Sequence, residues 1–259
     1  MGNGGQARRA GDSRRKFRRG IILLPSMITL GNLFCGFACI IHAMRGELGP
    51  AAAFIGYAFV LDMLDGRIAR LTGTTSAFGL EFDSLADVVS FGIAPAVLAF
   101  GWGLSGLGRW GWAAGFVYVA ATALRLARFN IQTTAQVDKR YFVGMPCPAA
   151  AGVPAATVFL FPDPLNGYPW VLASIGVMLV PALMMVSTIR FRSFKTFDLG
   201  WRRSPVWLFL AALLLAFIAA QPPVVLVILA YSYLLSALVG LAISRLRPRR
   251  ADPPSAGGS

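Results

Sequence analysis

Two acidic segments, LDMLDGRIAR at residues 61–70 and GLEFDSLAD at residues 79–87, interrupt an otherwise apolar part of the chain. On a helix, Asp62 and Asp65 share one face, and Asp83 and Asp87 share one face of a following helix. The short connection at 72–77 contains Gly73 and lets the two helices run antiparallel. We therefore expect four carboxylates to converge, and such a cluster needs a counter-charge.

Outside these segments the sequence is typical of an integral membrane protein. Hydrophobic residues make up 56% of the 259 positions and charged residues 14%, whereas soluble domains carry about 25% charged residues. No alternating pattern of outer-membrane strands recurs. The sequence predicts an all-α polytopic bundle of about eight transmembrane helices, from these apolar blocks: 21–43, 50–71, 84–102, 110–131, 147–162, 168–189, 204–220 and 223–243. We expect a basic flexible N-terminus at 1–17, a membrane domain at 18–246 and a disordered tail at 247–259.

The net charge of +13 is distributed as in a multi-pass protein of the cytoplasmic membrane. Basic residues precede the first apolar block, follow the last and fill the connections around 132–146 and 190–203, while Arg45 and Arg109 fall on the opposite side. This positive-inside pattern places both termini in the cytoplasm and requires an even number of spans. It favours anionic lipid head groups over nucleic acid as partners. The three cysteines provide no disulfide framework.

The chemistry of the carboxylates indicates a divalent-cation site. All-oxygen ligand sets select Mg²⁺, Mn²⁺ or Ca²⁺ rather than zinc. A salt-bridge network with Arg67 and Arg70, or a cation path, would explain the same charges. A divalent-cation transporter is therefore the alternative from a different functional class, although the outer halves of the spans carry almost no charge.

Residues 62–87 resemble the CDP-alcohol phosphotransferase family. They match its signature, D-x2-D-G-x2-A-R-x8-G-x3-D-x3-D, at all eight fixed positions. The resemblance implies a six-helix core and metal ligation by Asp62, Asp65, Asp83 and Asp87, with Asp87 also the general base. It implies contacts with the CDP moiety from Thr29, Asn32, Gly66, Ala69, Arg70, Ser76 and Gly79. Ser26 departs from the family pattern, which usually has Asn after the proline.

Three further segments resemble the phosphatidylserine synthase branch of the family: LRLARFN at 124–130, YFVGMPCPAA at 141–150 and STIRFRSFK at 187–195. This implies transfer of the phosphatidyl group from CDP-diacylglycerol to L-serine, CMP release, two Mg²⁺ or Mn²⁺ ions and a homodimer. The acceptor or its phosphate would be held by Arg125, Arg128, Asn130 and Arg190, since arginine pairs bidentately with such anions.

Other activities stay open on the same scaffold. Synthesis of phosphatidylglycerophosphate or phosphatidylinositol phosphate uses the same metal chemistry with a different acceptor. A prenyltransferase also combines aspartates, Mg²⁺ and pyrophosphate, but it would not require the glycine, alanine and arginine of the signature. In each phosphotransferase case we expect the active site to face the cytoplasm.

Overall fold

The computed structural model describes residues 26–73, 76–134, 141–187, 190–192 and 205–246. The predicted terminal segments 1–17 and 247–259 lie outside these residues. The helices are α1 (Ser26–Met44), α2 (Leu48–Thr72), α3 (Ala77–Asp87), α4 (Ala94–Trp102), α5 (Arg109–Thr134), α6 (Cys147–Leu160), α7 (Tyr168–Val186), α8 (Pro205–Ala220) and α9 (Pro222–Leu246). A π-helix, Val88–Ile93, joins α3 to α4, and a 3-10 helix spans Leu104–Leu107.

The helices fall at the predicted apolar blocks, which confirms a helical membrane protein. Within the described residues, four helices are long and apolar enough to cross a bilayer: Ser26–Met44, Leu48–Leu71, Ala77–Trp102 and Tyr168–Val186. Cys147–Leu160 and Pro222–Ser236 are apolar but shorter. Helix α5 carries three arginines, and α8 has only 16 residues. The predicted count of about eight transmembrane helices is not confirmed and stays a prediction.

The third predicted span begins earlier than hydropathy indicates. The block was expected at 84–102, whereas the helix runs without a break from Ala77 to Trp102. Ser76 caps it, since the Ser76 hydroxyl accepts a hydrogen bond from the Gly79 N–H at 3.0 Å. The additional turns carry Asp83 and Glu81, so the helix extends beyond the apolar region that hydropathy detects.

Small side chains allow the helices to pack closely. Ala51, Ala58, Ala94, Ala150 and Ala151 are all fully buried, as expected where helices associate in an apolar solvent. Helix α1 approaches the π-helix most tightly at Gly36, where an added Cβ would lie 2.8 Å from the Ser90 Cα. This contact fixes α1 against the segment that follows Asp87.

A two-stranded antiparallel ribbon modifies the predicted all-α fold. Strands β1 (Tyr141–Val143) and β2 (Arg190–Arg192) pair with Val143 opposite Arg190. The Met145 N–H donates to the Met184 carbonyl at 3.0 Å, and Gly144 adopts a positive φ of 88° beside α7. The ribbon thus joins two connections that the charge pattern assigns to the same side. Strands of three residues are too short to produce a recognisable alternating pattern.

Candidate active site

Helices α2 and α3 position the four aspartates. Gly73 ends α2 in the left-handed conformation (φ 63°), and its N–H bonds to the Ala69 carbonyl. Glycine adopts the left-handed conformation at the end of a helix with little energetic cost, because it has no Cβ. The chain turns there, and Ser76 starts α3 within a few residues. Asp83 and Asp87, one turn apart on α3, thereby reach Asp62 on α2.

Three of the carboxylates form a compact group. One oxygen from each of Asp62, Asp83 and Asp87 lies within 4.8 Å of the other two. Asp87 is buried, with 6% of its surface exposed, and Asp62 and Asp83 are partly buried. The Asp83 Oδ1 atom is buried and has no hydrogen-bond partner among the described residues. An orphaned carboxylate oxygen beside two further carboxylates fits a hard divalent cation, because such ions take oxygen ligands and offset the mutual repulsion.

Asp65 lies beside this group and has its own partner. Its Oδ2 accepts a hydrogen bond from the Thr29 hydroxyl of α1 at 3.1 Å, and only 4% of the residue is exposed. Asp65 is close enough to Asp62 and Asp83 to interact with both electrostatically. The predicted convergence of four carboxylates is therefore resolved into a group of three and a neighbour held by α1.

Helix α1 also holds Asp87. The Asn32 amide donates to the Asp87 Oδ1 at 3.1 Å, and Asn32 is completely buried. Ser90, in the π-helix, donates to the Asn32 backbone carbonyl at 2.9 Å. The Asn32 Oδ1 has no hydrogen-bond partner in the described part of the chain. Thr29 and Asn32, expected at the nucleotide, thus each contact a carboxylate.

The other residues expected to contact CDP lie at the same end of the bundle, around the turn between α2 and α3. Arg70 is exposed and folds back along α2, so that a Cβ added to Gly66 would meet its Nη1 at 3.5 Å. Ala69 is partly buried, and its carbonyl accepts the hydrogen bond from the Gly73 N–H that ends α2. A Cβ added to Gly79 would lie 3.1 Å from the Ser76 Oγ. These positions border the carboxylates and leave the Arg70 charge accessible.

Arg125 is the basic side chain of α5 that interacts with the cluster. Its charge interacts with Asp62 of α2 and with the Cys147 side chain of α6. The Arg125 Cζ is 5.4 Å from the centre of the Phe129 ring. Arg125 is partly buried and therefore projects into the bundle rather than simply reaching the interface.

The remaining residues expected to contact the acceptor have other surroundings. Arg128 is exposed. The Asn130 amide donates to the Ser84 hydroxyl at 3.0 Å, which joins α5 to α3 one residue from Asp83. Arg190 pairs with Val143 in the ribbon, and the described structure gives its backbone position alone.

Several residues that shape the site were not identified from the sequence. Ser84 and Ser90 contact Asn130 and Asn32, and Gly36 allows the close approach of α1. The one available signal was the spacing between Asp87 and Ser90. Residues three apart share a helix face, so Ser90 could be expected near the carboxylates. Their partners lie 46 and 58 residues away along the chain, beyond the reach of any local pattern.

Known proteins resemble this chain over about two thirds of its length. A sequence profile described as CDP-alcohol phosphatidyltransferase matches residues 22–189. A CDP-diacylglycerol–serine O-phosphatidyltransferase of Helicobacter pylori strain J99 is 39% identical over 180 residues, covering 68% of this chain and 74% of the relative. A protein of the same name from Bacillus subtilis strain 168 is 36% identical over 172 residues, covering 66% and 91%. The archaetidylserine synthase of Methanothermobacter thermautotrophicus is 33% identical over 172 residues, covering 66% and 70%. The chain, whose signature aspartates meet at one end of the helix bundle, belongs to the CDP-alcohol phosphatidyltransferase family.

Proposed function

We propose that this protein is a CDP-diacylglycerol–serine O-phosphatidyltransferase, which transfers the phosphatidyl group of CDP-diacylglycerol to the hydroxyl of L-serine and releases CMP. The observation that carries the proposal is the group of Asp62, Asp83 and Asp87 oxygens within 4.8 Å of one another. It occurs in a chain whose relatives of that name are 36% to 43% identical to it. Buried acidic groups in a membrane helix bundle mark functional sites.

Two Mg²⁺ or Mn²⁺ ions are the proposed cofactors. Asp62, Asp83 and Asp87 would hold one, and Asp65, with Asp62 and Asp83 nearby, would hold the second. The orphaned Asp83 Oδ1 supports this assignment, because a buried oxygen without a donor is costly unless an ion occupies the adjacent space. When bound, the ions neutralise the pyrophosphate of the substrate and stabilise the charge on the departing CMP.

Asp87 is the proposed general base. The serine oxygen attacks the phosphorus that carries diacylglycerol, Asp87 takes the hydroxyl proton, and the bond to CMP breaks with its electron pair on CMP. A serine hydroxyl is a weak nucleophile at neutral pH, so a positioned base is needed. The hydrogen bond from Asn32 supports the role, because it orients one Asp87 oxygen and leaves the carboxylate facing Asp62 and Asp83.

The cytidine diphosphate would lie at the end of the bundle formed by the start of α1 and the turn between α2 and α3. Arg70 would contact the phosphates, with Gly66, Ala69 and Gly79 allowing the nucleotide to approach the backbone. Ser76 keeps its capping role in α3 and would border the same space. On α1, Thr29 and Asn32 would contact the nucleotide beside their carboxylate partners, and the unpaired Asn32 Oδ1 supports this for Asn32.

Arg125 is the proposed ligand of the acceptor carboxylate. Its electrostatic interaction with Asp62 supports this role, and a planar guanidinium suits a carboxylate because it forms two parallel hydrogen bonds. Arg128, Asn130 and Arg190 are weaker candidates, since Arg128 is exposed and Asn130 bonds to Ser84. Arg190 would act from the ribbon.

The active site would face the cytoplasm, with the protein in the bacterial cytoplasmic membrane and both termini inside. The aspartates lie at the end of the bundle where α5 ends, α6 begins and the ribbon forms. The connections at that end carry most of the basic residues between spans, which supports a cytoplasmic location by the positive-inside rule. We also propose a homodimer, in keeping with the family resemblance.

An acceptor panel tests the proposed function. Purified protein with CDP-diacylglycerol and Mn²⁺ is expected to release CMP when L-serine is added, and not with glycerol 3-phosphate or inositol phosphate. CMP release that depends on either phosphorylated acceptor instead of serine would identify a different synthase of the same family. Passage of Mn²⁺ into proteoliposomes without any CMP release would favour the transporter.

A further inference from the structure

Helix α3 carries two of the three clustered carboxylates but is itself buried at few positions. Ala86 and Asp87 are the two buried residues among the eleven of this helix. Phe78 and Leu85 are 73% and 67% exposed. Apolar packing therefore places little restraint on the part of α3 that contains Asp83, and polar contacts gain importance in determining where this carboxylate lies.

One such contact joins Ser84, the residue after Asp83, to Asn130 of α5. The Asn130 Nδ2 donates a hydrogen bond to the Ser84 Oγ at 3.0 Å, and the Asn130 Oδ1 lies 3.3 Å from the same oxygen. The Ser84 hydroxyl also donates to the Leu80 carbonyl of α3 at 3.0 Å. Because a hydroxyl has one proton and two lone pairs, it can donate to Leu80 and accept from Asn130 at the same time. The Ser84 side chain is thus bonded both to its own helix and to α5.

Helix α5 gives this contact a firm support. Four residues of its middle turns are buried: Tyr118, Ala121, Thr122 and Leu126. Asn130 lies one turn beyond Leu126, on the same helix face, and is partly buried. The hydrogen bond therefore connects the neighbour of Asp83 to a helix that is anchored inside the bundle.

The carboxylates explain why such a support is needed. One oxygen from each of Asp62, Asp83 and Asp87 lies within 4.8 Å of the other two, and ionised carboxylates at this separation repel one another. The repulsion favours movement of α3 away from α2. A hydrogen bond to a third helix restricts that movement, and ligands already held in place lower the free-energy cost of binding a cation.

We propose that Ser84 and Asn130 are a positioning pair for the metal site, in which the hydrogen bond between them holds α3 against α5 and keeps Asp83 in place to bind the cation. The inference rests on the proposed function, in which Asp83 is a metal ligand. It assigns to Asn130 a role that acts through Ser84 rather than through the acceptor.

A double-mutant cycle tests the pair by Mn²⁺ binding to the full-length purified protein, followed by electron paramagnetic resonance without lipid substrate. Ser84→Ala and Asn130→Ala each remove the contact from one side. Each is expected to raise the Kd for Mn²⁺ about three- to tenfold, the range of one hydrogen bond. The double variant should bind Mn²⁺ no more weakly than either single variant, because the contact is already lost.

Tyr231→Phe is the matched control. The Tyr231 hydroxyl and the Thr157 Oγ1 are 3.0 Å apart, so this variant also loses one interhelical hydrogen bond. The bond lies between α9 and α6, which carry none of the four aspartates. The control should therefore keep the wild-type Kd for Mn²⁺, and a rise equal to that in Ser84→Ala would overturn the proposal.

The kinetic constants separate positioning from acceptor binding. At saturating Mn²⁺, the KM for L-serine should be equal in Ser84→Ala and Asn130→Ala, since each loses the same contact. A higher serine KM in Asn130→Ala alone would overturn the proposal, and so would effects on Mn²⁺ binding that add in the double variant. A wild-type Kd for Mn²⁺ in Ser84→Ala would overturn it while the proposed function stands. A wild-type protein that binds no Mn²⁺ would overturn both this inference and the proposed metal site.

Discussion

Replacing Asn32 with leucine should slow phosphatidyl transfer and leave the bundle folded. The Asn32 amide donates to the Asp87 Oδ1 at 3.1 Å in a completely buried position. Leucine has the same number of side-chain heavy atoms but no donor, so Asp87 loses the contact that orients it. The Ser90 hydroxyl bonds to the Asn32 backbone carbonyl, a contact that the substitution retains.

The expected magnitude follows from the charge on Asp87, which accepts the hydrogen bond from Asn32. A hydrogen bond to an ionised group contributes about 1.5–3 kcal/mol, and about 1.4 kcal/mol corresponds to a tenfold change in rate. If Asp87 depends on this bond in the transition state, kcat should fall by about 10- to 150-fold. The KM for serine should change much less, because Asn32 contacts the proposed base and not the acceptor.

The assay is CMP release by the purified protein in detergent, with CDP-diacylglycerol, serine and Mn²⁺, alongside thermal unfolding. Ser174→Ala is the matched control. It also removes a buried polar group, but the Ser174 hydroxyl donates to the Val171 carbonyl of its own helix, α7. A kcat in Asn32→Leu equal to that of the control would refute the reasoning. So would a loss of activity fully explained by a lower Tm.

Three further outcomes are expected. Gly36→Ala should destabilise the protein by about 1–3 kcal/mol in thermal unfolding, since the added Cβ would lie 2.8 Å from the Ser90 Cα. Gly56→Ala is the control and should not destabilise it, because a Cβ added there would meet no atom within 4 Å. Equal Tm values for the two variants would contradict the close packing at Gly36. Asp87→Asn should abolish CMP release while CDP-diacylglycerol still binds in equilibrium dialysis, and full activity would contradict its role as the base. Treatment with EDTA should stop turnover and added Mg²⁺ or Mn²⁺ should restore it, whereas turnover that persists after chelation would contradict the metal site.

The helices could be predicted because burial in lipid requires long apolar segments, and these segments are visible in the sequence. The start of α3 could not be placed from hydropathy, since the Ser76 cap lies outside the apolar block. The π-helix at Val88–Ile93 also had no local signal. Its Ser90 closely approaches Gly36 of α1, and a local pattern does not reveal such a contact between separate helices.

The meeting of Asp62 with Asp83 and Asp87 could be predicted because helical spacing and a short glycine-containing turn determine it. The partner of Asp65 could not be predicted, because the sequence does not show which neighbouring helix a helix face meets. In the structure, Thr29 of α1 donates a hydrogen bond to Asp65. The same limit applies to Asn32, whose partner Asp87 lies 55 residues later. Long-range pairing is decided by the packing of α1, which one sequence does not reveal.

Binding of Mn²⁺ to the purified protein, followed by electron paramagnetic resonance without any lipid substrate, tests the metal site directly. The wild type should bind Mn²⁺ in competition with Mg²⁺, and Asp83→Asn should bind it far more weakly, because the orphaned Asp83 Oδ1 is a proposed ligand. Glu81→Gln is the control, since Glu81 is an exposed acidic residue of the same helix. Equal Mn²⁺ binding by the wild type, Asp83→Asn and an Asp62→Asn/Asp83→Asn double variant would contradict a cation site built from these carboxylates.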